Sequence, residues 1–155
     1  MEDFFWKYSE LIVFLHVISA VVWVGGMIAM RFAAHHSFME LDHPPVRIQR
    51  TTHALKRLFT IVTPFVIILL LTAILLSKAY GGGTLVHIKE AIWVVMAANL
   101  TAMIFRRNKA EKLVLAGNFA DAKAKLEMIG KYMVPLNIVL GIIAIYLGVT
   151  LRYAH

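Results

Sequence analysis

The sequence predicts an all-α integral membrane protein built as one four-helix bundle. Sixty per cent of its 155 residues are apolar, against about 45–50% in soluble domains. Only 16% are charged, where about 25% is usual. The apolar residues also fall into four runs near the ~20-residue length needed to cross ~30 Å of hydrocarbon. A soluble domain of this size has too little interior to hide so much apolar surface. The whole chain, 1–155, therefore reads as a single transmembrane domain.

The first span covers about 11–30, preceded by Phe4, Phe5, Trp6 and Tyr8, an aromatic belt of the kind found at membrane interfaces. The second covers about 58–77. Pro64 near its start removes an amide and is expected to kink the helix. The third, about 84–105, is informative because its apolar part, Ala91 to Phe105, is only 15 residues. That is about 22 Å of helix, so the span must recruit Thr84 to Glu90, and with them His87, Lys89 and Glu90. Those three either snorkel to the interface or line a polar site in the bundle. The fourth span, about 132–151, opens at Tyr132 and closes at Arg152-Tyr153. Before it, Phe119 to Ile129 reads as a short helix on the cytoplasmic surface, with Phe119, Ala122, Leu126 and Ile129 on one face. Lys78 to Gly83 joins spans two and three in a tight hairpin.

Orientation follows from the basic residues. The connections before spans two and four carry twelve lysines and arginines, and the opposite side carries four: Lys7, Lys78, Lys89 and Arg152. Both termini are expected on the non-cytoplasmic side, in a bacterial inner (cytoplasmic) membrane. The net charge of +7 is then read as orientation and contact with anionic membrane lipids, with no nucleic-acid partner. The acidic start Met1-Glu2-Asp3 is the wrong charge for a cleavable signal.

The chain has no cysteine, so disulfides, thiolate metal sites, iron–sulfur clusters and cysteine nucleophiles are excluded. No phosphate loop, nucleophile elbow or dinucleotide fingerprint is present. The eight methionines are scattered and are better explained by packing than by copper. His35, His36, His43 and His53 lack metal-ligand spacing and read as solvated. Asn99 and Asn137 read as interhelical hydrogen bonds.

His16 is different. It sits inside the first span, where a histidine is costly unless it meets a partner. Its helical face continues through Ser19, Ala20, Trp23, Gly26 and Met27, small enough in places to let another helix or a flat cofactor come close. His87 and Lys89 start the third span on the same side. Two residues apart is ~200° around a helix, so they point in nearly opposite directions. Lys89 shares its stripe with Trp93 and Met96, and the His87 stripe holds smaller residues. Arg31, at the far end of span one, is read as a contact to lipid phosphate or to a cofactor carboxylate.

The ordered set His16-(x6)-Trp23-(x2)-Gly26-(x4)-Arg31-(x4)-His36 resembles the opening of the HemJ-type protoporphyrinogen oxidases. Leu55-Lys56-Arg57-Leu58 with Thr63-Pro64, and His87-Ile88-Lys89, resemble the starts of that family's second and third helices. Trp23-Val24-Gly25-Gly26 is similar to the related CopD-like membrane domains. The resemblance implies a bundle that binds haem b, with His16 as axial ligand and Lys89 or His87 as the other ligand or a nearby essential group. Trp23 and Gly26 would flank the cofactor, and Lys89 and Arg31 are the candidate catalytic residues. It also implies oxidation of protoporphyrinogen IX, with electrons passed to quinone. Three classes stay open: a haem b redox protein, a CopD-like copper-handling protein, and a non-catalytic subunit of a larger complex. A homodimer is compatible with each.

Overall fold

The computed structural model describes residues 2–153. A short helix, Glu2–Lys7, precedes four long ones: α1 (Ser9–Met39), α2 (Pro44–Tyr80), α3 (Thr84–Leu115) and α4 (Phe119–Tyr153). Each of the four is long and apolar enough to cross a membrane. Among the described residues there is no strand. Consecutive helices pack on one another and α1 packs on α4, which closes an antiparallel ring. One end of the bundle carries both termini and the turn at 81–83. The other carries the connections at 40–43 and 116–118, and we call it the basic end.

The helices outrun the apolar runs. At 37 residues, α2 is about 55 Å long, nearly twice the hydrocarbon thickness. The segment 31–57, expected as a connecting loop, is helical apart from 40–43. Its residues explain this: Pro44 and Pro45 occupy the first turn, where a missing amide costs nothing, and Ala54, Leu55, Lys56 and Arg57 favour helix. Helix α2 runs unbroken through Pro64. Gly81 and Gly117 end α2 and α3 with φ of +80° and +77°, a left-handed conformation that glycine adopts without strain.

Phe119–Met128 is helical, but it is not a separate surface helix: it runs on through Ile129–Met133 into the fourth span. Asn118 caps it by accepting from the Asp121 amide at 3.3 Å. Its face of Ala122, Leu126 and Ile129 is buried against α3, with which it packs antiparallel. It enters the span through a π-helical stretch, Ile129–Met133. Pro135 follows at once and has no amide for the carbonyl of Lys131, and a widened turn relieves the ring's clash with it.

Packing is uneven along the bundle. Trp23, Met27, Val62, Met103, Ile129 and Val134 are almost fully enclosed and form the core at its middle and basic end. Gly141 lets α4 close on α1: a Cβ there would run into Val24 Cγ2 and lie 3.3 Å from Met96 Cε. Asn99 donates to the Met133 carbonyl at 2.7 Å and to Asn137 Oδ1 at 2.8 Å. Asn137 in turn donates to the Met96 carbonyl at 3.3 Å, so both amides clamp α3 to α4. Toward the hairpin end the picture reverses. Helix α3 buries no residue before Met96 and α4 none after Gly141, whereas α1 and α2 keep buried positions out to Ile12 and Thr72.

Candidate functional site

The loosely packed half contains the polar cluster. His16 Nδ1 lies 3.0 Å from Thr72 Oγ1 of α2. The Thr72 hydroxyl proton is already committed to its own helix, at 2.8 Å from the Ile68 carbonyl and 3.0 Å from that of Leu69. With that proton on its own helix, the oxygen is open to accept from His16 Nδ1–H. That tautomer satisfies both groups and leaves Nε2 with a free lone pair. A ring held in this way can act as a ligand or as a proton acceptor.

Lys89 joins the same layer. Its Nζ lies 3.0 Å from the point that a Cβ on Gly148 would occupy, so the missing side chain on α4 makes room for the lysine. Val24 of α1 faces Gly141 of α4. Seven residues further out, about 10 Å along both helices, His16 and Val17 come level with Gly148. Lys89 and His16 accordingly stand at the same level of the bundle. Both side chains are half-buried.

His87 takes the other direction, as its spacing from Lys89 requires. Its side chain is 72% exposed and its Nδ1 is 3.1 Å from Glu90 Oε2. It lies against the turn, 3.8 Å from a Cβ built on Gly82. The remaining sequence candidates sit deeper. Trp23 is 1% exposed, with a buried indole nitrogen that has no partner among the described residues. Gly26 faces α2, where a Cβ would come 3.0 Å from Leu58 Cδ1, so the close approach it permits is that of a helix. Arg31 is fifteen residues from His16, about 22 Å along the helix, with its guanidinium 5.8 Å from the Phe32 ring centroid. The fold thus places His16 and Lys89 at one level of the bundle, turns His87 outward beside the hairpin turn, and leaves Arg31 at the opposite end.

Two members of the cluster escape a reading of the sequence by apolar runs: Thr72 and Gly148. Thr72 does have a signal, being the one polar side chain between Pro64 and Ser77. Trp93, one turn deeper than Lys89, also holds a buried indole nitrogen without a partner among the described residues. Among the described residues no group of three or more histidine and acidic side chains gathers to hold a metal ion.

The chain is similar to one protein of Aquifex aeolicus (strain VF5), described only as an uncharacterized protein. The two are 28% identical over 152 residues, covering 95% of this chain and 97% of that one. No family model matches the chain, and no solved structure does. The similarity runs through all four helices and carries no activity with it.

Proposed function

We propose that this chain is a haem b-binding redox protein of the bacterial inner membrane, similar in kind to the HemJ-type protoporphyrinogen oxidases. The reading places both termini on the non-cytoplasmic side and passes electrons to quinone. One observation carries it: the His16–Thr72 hydrogen bond, which leaves a single imidazole nitrogen free inside an apolar helix layer.

The residues suit the group. A haem's axial position takes a neutral imidazole whose other nitrogen donates to a fixed acceptor, and Thr72 is that acceptor. A macrocycle also needs a broad apolar surface beside the ligand. The hairpin half is where it would lie, since α3 buries no residue before Met96 and α4 none after Gly141. When bound, haem b supplies one-electron transfer. The chain's own residues do the rest. His16 would hold the haem, Thr72 would fix the orientation of its ring, Lys89 would stand on the haem side as a second ligand or a nearby essential group, and the outward His87–Glu90 pair would carry protons.

The test is the absorption spectrum of protein purified from haem-replete cells. The natural chain should carry a Soret band. His16→Ala should insert to the same level and lose it. A natural chain without the band, or an alanine variant with an unchanged one, would overturn the reading. Porphyrinogen oxidation with added quinone then separates an oxidase from an electron carrier.

A further inference from the structure

Beyond that site, a groove of about 790 Å³ lies at the basic end, between the extensions of α2 and α3. Gln49, His53, Lys56 and Thr60 line it from α2 at helical spacing, with Arg57 beside them; Glu111, Val114 and Leu115 line it from α3. This stripe runs beside the buried one of Ile48, Thr52, Leu55 and Phe59. Its charge is positive. Glu111 is the only acid in the lining, and it is taken by Arg107, a buried residue whose guanidinium is bonded to it. Lys56 is 3.9 Å from the same carboxylate, a weak contact, with its side chain 60% exposed. Among the described residues, Arg57 and His53 pair with no carboxylate. The two threonines, Thr52 and Thr60, spend their protons on their own helix, bonding the carbonyls of Ile48 and Lys56. The donors left over are those of Gln49, His53, Lys56 and Arg57.

The same flank of α2 changes character at the edge of the apolar run. Past Thr60 it continues as Ile61, Pro64, Ile68 and Leu71, with Ile61 58% and Leu71 57% exposed. One helix flank therefore presents cationic donors and then, without a break, a strip of open hydrocarbon. A phospholipid has that order of parts. We propose that the groove seats the phosphate headgroup of an anionic membrane lipid on His53, Lys56 and Arg57, with an acyl chain laid along Ile61 to Leu71.

The experiment uses the full chain purified in a neutral detergent and exchanged into nanodiscs of phosphatidylcholine with a small fraction of phosphatidylglycerol. Lipid that stays with the protein on re-extraction is measured by native mass spectrometry. The natural chain should retain phosphatidylglycerol over phosphatidylcholine. Lys56→Gln with Arg57→Gln should weaken that retention roughly thirtyfold, at about tenfold per 1.4 kcal/mol and ~1 kcal/mol for each basic residue lost. Lys123→Gln with Lys125→Gln removes the same charge elsewhere at the same end and should leave retention within about twofold, well under one basic residue's share. Equal loss in both double variants would mean diffuse attraction and overturn the site, as would no preference in the natural chain. Inorganic phosphate is added in a separate arm. If millimolar phosphate displaces the lipid, the occupant is a soluble phosphate compound and the lipid assignment fails.

Discussion

Thr72 gives His16 its direction. A histidine with two free nitrogens can rotate and titrate, but one that donates to a hydroxyl whose own proton is fixed offers a single lone pair at a set angle. Outer partners of this kind typically change affinity for the bound group by about 10–100-fold. Thr72→Val removes the acceptor and keeps the shape. It should therefore insert normally, hold haem about 10–100-fold more weakly and shift the reduced spectrum, while Thr72→Ser restores both. A valine variant titrating with haemin like the natural chain would show the bond to be packing alone. Lys89 and His87 invite the same comparison, since Lys89 leans on Gly148 and His87 faces outward with Glu90. Lys89→Ala should alter the oxidised and reduced spectra and His87→Ala should leave them. The reverse pattern would exchange their roles.

Among the elements, the junction of α1, α3 and α4 at Gly141 is the tightest. Even Gly141→Ala would drive a methyl into Val24 Cγ2. Forcing extra volume into a packed core costs about 1–3 kcal/mol, so the variant's melting temperature in detergent should fall. Val24→Ala in the same chain should recover part of the loss. If the double variant melts lower than Gly141→Ala alone, the helices do not meet there as described. This contact was invisible in the sequence, because a glycine in an apolar run looks the same whether it faces lipid or a neighbouring helix. The four spans and their order were legible, since hydropathy and length alone mark them. The ends of the helices were not. Lys56, Arg57, Arg106 and Lys112 are good helix formers, and charge ends an apolar run without ending a helix. The site was half legible. His16 stands out because a histidine in an apolar span is costly, and the opposed directions of His87 and Lys89 follow from a 100° step. Thr72 drops out when spans are judged by hydropathy, and Gly148 has no side chain to notice.

On the scale of the whole molecule, the two ends differ in charge, and the fold turns that difference into a statement about orientation. Closing the ring of four antiparallel helices puts the 40–43 and 116–118 connections at one end and both termini with the 81–83 turn at the other. Because the helices continue past the apolar runs, the basic residues there stand on ordered helix immediately beyond the spans. Twelve of the sixteen lysines and arginines lie at that end. Basic residues this close to the span ends are the ones that set orientation, because carrying them across the bilayer is costly and the cytoplasmic leaflet is anionic. We predict that the basic end is cytoplasmic. A fluorescent reporter that matures only in the cytoplasm should be dark when fused after Tyr153 and bright when inserted at 116–118, and a periplasmic phosphatase should give the opposite pair. Neutralising Lys7, Lys78 and Arg152 should leave the pattern unchanged. Moving the balance, by adding five lysines after Tyr153 and neutralising Arg106, Arg107, Lys109 and Lys112, should produce a mixed population. A bright reporter after Tyr153 in the natural chain would invert the bundle and place the His16 layer near the cytoplasmic face.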